Sequence, residues 1–206
     1  MWTRTGSVTA YNPLEKRALA ESVCKALLAK PVEPLPPGQR FNGAGVYAIY
    51  YAGGFPPYQP VAAANRDGKY ALPIYVGKAV PPGSRKGGFQ LELPGDAVLY
   101  KRLREHAESV AASQNLRLAD FRCRYLVVDD IWIPLGESLL IEMFSPLWNK
   151  IVDGFGNHDP GKGRRAGQRP PWDVIHPGRE WADRCEPNRR TERQILDAVR
   201  KALSGK

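Results

Sequence analysis

Two tripeptides decide the fold of this chain: Gly45-Val46-Tyr47, within the run GVYAIYY, and Tyr75-Val76-Gly77, within the run PIYVG. Both runs are rich in β-branched and aromatic residues, which predicts strands over 45–51 and 73–77. The residues between them, 52–72, are rich in Gly, Pro, Ala and Asn. We therefore predict a hairpin with an elaborated loop. A tyrosine in a strand most often packs in a core, so the two tripeptides need support from other residues.

A helix predicted after these strands brings two basic side chains together. Asp96 is suited to cap a helix over 97–113, with leucines on its apolar side. Arg102 and His106 are four residues apart on this helix, so they share one face. The alternating residues 121–128 then predict a third strand.

A second core helix is predicted from Pro134 to Phe144, and Pro146 stops it. It carries two acidic residues, Glu137 and Glu142, and Asn149 follows Glu137 by twelve residues. Two other polar runs have simpler interpretations: Asp129-Asp130 as a turn and Asn157-His158-Asp159 as a loop without a second His at helical spacing.

The order of these elements resembles that of the GIY-YIG nuclease superfamily. The order is the GVY strand, the YVG strand, the Arg-x-x-x-His helix, the third strand and the Glu helix with its Pro-x-x-Asn end. The resemblance covers roughly residues 43–150. It implies an α/β (α+β) fold with a small three-stranded antiparallel sheet flanked by helices. Val46 and Val76 replace isoleucine, and the gap from Ala48 to Ile74 exceeds the usual spacer. This insertion suggests an added DNA-contacting loop.

The resemblance also implies cleavage of phosphodiester bonds with one divalent metal ion, Mg²⁺ or Mn²⁺. The catalytic residues that it implies are Tyr47, Tyr75, Arg102, His106, Glu137 and Asn149. Glu137 would be the single protein ligand of the metal, chosen over Glu142 because only Glu137 has the family's spacing to Asn149. Arg102 would hold the scissile phosphate with its planar guanidinium.

Tyr47 would be the general base or would orient the attacking water. A phenol with a pKa of about 10 is a poor base unless positive charge lowers that value, and Lys78 or His106 could supply the charge. His106 would orient Tyr47 or relay its proton, and Tyr75 would bind the phosphate or the water. Asn149 would fix the end of the Glu137 helix or bind the phosphate.

The chain of 206 residues is long enough for one domain with additions. We predict an N-terminal helical arm and linker over 1–40, a catalytic core over 41–150 and a basic C-terminal extension over 151–206. The arm has a helix that opens at Asn12-Pro13 and ends at Lys30. Within the extension, 154–171 is expected to be an exposed loop or a wrapping segment, and the pattern Thr191-x-x-Gln194 predicts a capping box.

The charge distribution fits either a nucleic-acid partner or a solvated surface that happens to be basic. The net charge is +9, and two segments of net +5, 66–104 and 150–206, flank one of net −4, 105–149. Basic segments can hold DNA, while an acidic one can hold a cation. The three cysteines are widely spaced, which predicts reduced thiols. No apolar run can span a membrane and no secretory signal is present, which favours the cytoplasm.

Among GIY-YIG proteins, the short chain looks most like the type II restriction endonucleases, in particular one that recognises the palindrome CCGCGG. Such a target implies a homodimer on double-stranded DNA, with each subunit cutting one strand. The candidate DNA-binding residues are Lys78, Arg85, Lys86, Arg164, Arg165 and Arg169. The alternative is a non-catalytic or structure-selective nucleic-acid binder on the same fold. A PD-(D/E)xK nuclease is disfavoured because no Glu-x-Lys or Asp-x-Lys follows a suitable acidic residue on a strand.

Overall fold

An antiparallel sheet forms the centre of the computed structural model, which describes residues 15–80, 96–159 and 167–204. Its strands are β1 (Glu33–Pro34), β2 (Gly45–Tyr51), β3 (Pro73–Ala79) and β4 (Phe121–Val127), in the order β1-β4-β2-β3. The fold class and the three predicted strands are confirmed. The sheet nevertheless has four strands rather than three, because residues 33–34 of the predicted linker pair with β4.

Helices cover both faces of this sheet. In the described residues they are α1 (Lys16–Leu28), α2 (Gln59–Asn65), α3 (Val98–Ala112), α4 (Ile133–Phe144), α5 (Leu147–Lys150), α6 (Pro171–Ile175), α7 (Glu180–Asp183) and α8 (Glu192–Leu203). The predicted capping box is confirmed at the start of α8, where Thr191 and Gln194 bond reciprocally. Across the described parts of the chain, no helix is both long and apolar enough to cross a membrane.

Strand β2 is buried along its whole length, and its side chains alternate between two hydrophobic clusters. Tyr47, Ile49 and Tyr51 point toward the cluster that includes α3, α5, α6 and α8. Val46 and Tyr50, on the other face, join the cluster formed with α1 and α4. The two-residue period of a strand thus places the GVY tyrosine on the α3 side of the sheet.

The N-terminal segment is part of the packed domain rather than a separate arm. Helix α1 ends at Leu28, two residues before the predicted end, and buries Ala20, Val23 and Leu27 in the cluster that includes α4. Leu35, in the predicted linker, is also buried. Burial of apolar side chains on α1 and around β1 explains why this segment folds onto the sheet. The predicted opening at Asn12-Pro13 lies outside the described residues.

The hairpin insertion and the C-terminal extension also contribute to the core. The insertion forms a 3₁₀ turn (Pro56–Tyr58) and α2, and Tyr58 and Val61 are buried against the α3 side of the sheet. Phe155 is buried in the same cluster and contacts Trp148 and Trp172. The expectation of an exposed loop is therefore wrong at Phe155, although residues 160–166 of that stretch lie outside the described residues.

Candidate active site

Strand β3 lies at the end of the sheet, where helices from both faces approach it. Tyr75 and Gly77 point to the α3 side, as does Tyr47, which is the register partner of Gly77 on β2. Lys78 points to the opposite side, where Glu137 of α4 reaches it. The predicted tyrosines and the predicted acid therefore meet at one edge of the sheet.

Tyr47 and His106 form a buried hydrogen-bonded pair. The Tyr47 Oη atom lies 2.6 Å from His106 Nε2, and the two residues are 1% and 2% exposed. Burial, together with the charge of Arg102, holds the pKa of His106 well below its usual range, so the imidazole is neutral. In the tautomer that carries its proton on Nδ1, this neutral ring accepts at Nε2 the hydrogen bond that the Tyr47 hydroxyl donates.

The expectation that Lys78 or His106 lowers the pKa of Tyr47 is wrong for this arrangement. Burial raises the pKa of Tyr47 well above 10, and the lowering effect of Arg102 is smaller. His106 is neutral, and Lys78 forms an ion pair with Glu137. Tyr47 is therefore a protonated phenol in contact with a proton acceptor, rather than a phenol acidified by a neighbouring cation.

Close contacts explain why each of the two tripeptides contains a glycine. A Cβ atom built on Gly77 would lie 2.6 Å from Tyr47 Cζ, so a side chain there would displace the tyrosine ring. A Cβ atom on Gly45 would lie 2.9 Å from the carbonyl carbon of Leu126 on β4. Gly77 makes room for the Tyr47 hydroxyl, and Gly45 allows β2 and β4 to approach closely.

Arg102 reaches the same edge from α3, next to both tyrosines. Its Nη2 atom donates to the Gly156 carbonyl at 2.8 Å, and its Nη1 atom contacts Glu105 Oε2 at 3.1 Å. The Nη1 atom also contacts His158 Nε2. Beside Arg102 lies a surface cavity of about 400 Å³ whose lining includes Lys78 and Glu105. A cationic fork at the wall of an open cavity is suited to bind a phosphate.

Glu137 is an acidic side chain at this edge, and its role as the metal ligand stays a prediction. Its Oε2 atom lies 2.7 Å from Lys78 Nζ, and its side chain is 19% exposed. The carboxylate is close enough to both phenols for its negative charge to contribute to raising the pKa of Tyr47 and of Tyr75. Glu142, the alternative on the same helix, is exposed.

Asn149 connects α5 to the edge of β3. Its Oδ1 atom accepts a hydrogen bond from the Val76 backbone N–H, and its Nδ2 atom donates to the Val76 carbonyl, both at 2.8 Å. The side-chain amide thus pairs with the outer side of the YVG strand as a neighbouring strand would. By fixing the backbone of Val76, this contact helps to position its neighbours Tyr75 and Gly77. A catalytic role for Asn149 stays a prediction.

The predicted DNA-binding residues are only partly described. Lys78 lines the cavity beside Arg102. Arg169 lies in the extension, where its Nε atom donates to the Ala182 carbonyl at 3.0 Å and its Nη2 atom lies 3.2 Å from Asp183 Oδ1. The remaining four, Arg85, Lys86, Arg164 and Arg165, lie outside the described residues. DNA contact by all six stays a prediction.

The extension supplies one side of the site, which was not predicted from the sequence. The Phe155 ring stacks on the His106 ring at a centroid distance of 4.6 Å and meets the Tyr75 ring edge-on at 5.0 Å. A Cβ atom on Gly156 would lie 2.7 Å from the Tyr75 hydroxyl. Residues 155–158 thus contact three of the predicted catalytic residues. The only sequence signal was His158, in a run interpreted as a loop.

Two tyrosines on antiparallel strands, an Arg and a His on one helix and a Glu on another thus lie at one edge of the sheet, in the arrangement that the resemblance to GIY-YIG nucleases implies. The family model described as the Eco29kI GIY-YIG domain matches residues 39–203, which is most of the chain. The protein therefore belongs to this family of type II restriction endonucleases. No curated protein matches the chain. The matched range continues through the extension, in agreement with its place in the core.

Proposed function

We propose that this protein is a homodimeric type II restriction endonuclease that hydrolyses double-stranded DNA at the palindrome CCGCGG, with one Mg²⁺ or Mn²⁺ ion in each active site. The observation that carries the proposal is the pairing of Tyr47 with neutral His106 at the edge that also holds Arg102 and Glu137. Membership of the Eco29kI family, whose named enzyme recognises CCGCGG, supports the target sequence.

The residues at this edge fit a hydrated magnesium ion with a single protein ligand. The described residues contain no group of three or more His, Cys, Asp or Glu side chains that could hold a metal. Magnesium keeps several waters and is often bound by one carboxylate together with a phosphate, so Glu137 is sufficient. When bound there, the ion would neutralise charge on the phosphate under attack. The Lys78 ammonium, now paired with Glu137, would have to share or leave that carboxylate.

The chain's own side chains provide a route for the proton of the attacking water. Tyr47 donates its hydroxyl proton to His106 Nε2, and the phenolic oxygen takes a proton from the water in the same step. Burial disfavours both a free phenolate on Tyr47 and a lasting imidazolium on His106, so the transfer must be concerted with attack on the phosphate. Arg102 binds the scissile phosphate and stabilises its growing negative charge.

Recognition of a palindrome follows from two-fold symmetry. Two copies of the chain, each with one active site, would place equivalent residues on the two half-sites. Arginine forks on guanine O6 and N7 are the usual readers of G·C pairs in the major groove. The proposed candidates for this role are Arg85, Lys86, Arg164, Arg165 and Arg169. Most of them, together with Lys78, are proposed to contact phosphate instead of bases.

The proposal is tested by incubating the protein with plasmid DNA and Mg²⁺, then sequencing the ends of the products. We expect discrete fragments cut within CCGCGG. Glu137→Ala should abolish cleavage and keep specific DNA binding, because binding does not require the metal ligand. Glu142→Ala is the matched control, since this exposed acid on the same helix should be dispensable.

Three results would contradict the proposal in different ways. Intact plasmid bound with salt-dependent affinity would indicate the non-catalytic nucleic-acid binder. A smear of products would indicate a nuclease without sequence specificity. Full activity of the Glu137→Ala variant would exclude Glu137 as the metal ligand.

A further inference from the structure

The backbone of residues 154–157 is held rigidly next to the active site by a buried arginine. Arg179 donates from Nη1 to the carbonyls of Phe155 at 3.1 Å and Asn157 at 3.0 Å, and from Nη2 to the carbonyl of Gly154 at 2.9 Å. Its charge is balanced by Asp173, whose two carboxylate oxygens lie 2.6 and 2.5 Å from Arg179 Nε and Nη2. The backbone that carries the next residue, His158, is therefore fixed from the interior.

The Arg179 guanidinium also lies between two indole rings. Its Cζ atom is 4.6 Å from the ring centroid of Trp172 and 4.7 Å from that of Trp181. The side chains of Arg179 and Asp173 are 4% and 1% exposed. Stacking and charge pairing between these buried side chains restrict the movement of Arg179.

The clamped loop presents two neutral acceptors to Arg102. The Gly156 carbonyl accepts from Nη2, and His158 Nε2 contacts Nη1. Burial and the nearby charge of Arg102 lower the pKa of His158, which keeps its imidazole neutral. Glu105 also contacts Nη1, but its negative carboxylate offsets part of the positive charge with which Arg102 would attract a phosphate. A neutral acceptor orients a guanidinium without neutralising it.

We propose that His158 is a positioning residue for Arg102: its Nε2 atom holds the Nη1 edge of the guanidinium in place while a DNA phosphate displaces the Glu105 carboxylate. The inference rests on the proposed function and deepens it, because it assigns to the extension a role in cleavage. Repulsion between phosphate and carboxylate would remove Glu105 from this edge. His158 then remains, with Gly156, as the protein contact that sets the plane of the guanidinium.

The experiment compares single-turnover cleavage and DNA binding of the full chain and its His158 variants. The His158 side chain is 57% exposed, so its replacement should not disturb folding. We expect His158→Ala to slow cleavage about tenfold, as for loss of one hydrogen bond to a charged group, and to leave the DNA dissociation constant within about twofold. His158→Gln, which keeps a neutral acceptor, should recover most of the rate.

A double-mutant cycle separates positioning from a general structural effect. In an Arg102→Lys background, His158→Ala should have no further effect on the rate, because the guanidinium that it orients is gone. An unchanged rate for His158→Ala, or an equal loss in both backgrounds, would overturn the inference while wild-type cleavage still supported the proposed function. A wild-type protein that does not cleave would overturn both.

Discussion

We expect the folded protein to lose stability in mild acid because of one side chain, that of His176. The residue is fully buried, and its Nε2 atom lies 2.7 Å from the Tyr58 hydroxyl. Its Nδ1 atom lies 2.8 Å from Asn115 Oδ1, to which it donates. Because Trp148 Nε1 also donates to the Tyr58 oxygen, the Tyr58 proton points to His176. A second proton on the imidazole has no acceptor in this network.

The size of this stability loss follows from the difference between the pKa values of His176 in the folded and the unfolded chain. Burial, with a smaller contribution from Arg179, lowers the pKa of His176 from 6.5 to about 3. The unfolded chain binds more protons between these two values, so stability is complete above pH 6.5 and is lost as the pH falls toward 3. At pH 5 the free energy of unfolding should be lower than at pH 7 by about 2 kcal/mol from this residue alone.

The assay is urea unfolding followed by tryptophan fluorescence at pH 7 and pH 5. His176→Gln should be less stable than wild type at pH 7, but the difference should shrink by about 2 kcal/mol at pH 5 because the variant cannot titrate. His158→Gln is the matched control, since His158 is much more exposed and should change the pH dependence far less. Equal pH slopes for wild type and His176→Gln would refute the argument.

Three further changes test the catalytic edge itself. Tyr47→Phe should fold normally yet cleave at least about 100-fold more slowly, whereas Tyr50→Phe, on the opposite face of β2, should keep its rate; single-turnover assays decide. Gly77→Ala should cost about 1–3 kcal/mol in urea unfolding and slow cleavage, because its methyl group displaces the Tyr47 ring. Asn149→Leu should cost about 2–4 kcal/mol, because the Val76 backbone N–H and carbonyl both lose their partner, and unchanged stability would contradict that account.

Strand and helix positions could be predicted where local chemistry determines them. The β-branched and aromatic run predicted β2, the alternating run predicted β4, and the Thr191-Gln194 box predicted the start of α8. Arg102 and His106 were predicted on one face because a helix fixes their spacing. The linker was misjudged, since the pairing of residues 33–34 with β4 depends on a partner almost ninety residues away. Pairing at that range leaves no periodic signal in a two-residue strand.

The fold of the C-terminal extension also depends on contacts that its composition does not reveal, and these contacts affect the site. Glycines and charges dominate residues 154–171, which is the composition of an exposed loop. What folds part of it inward is Arg179, whose five N–H donors satisfy backbone carbonyls of the loop and the Asp173 carboxylate. A buried arginine cannot be distinguished from a surface one by residue type. Because this arginine holds the loop that carries Phe155 and His158, the basic extension forms part of the proposed active site, and its positive charge is only partly available to wrap DNA.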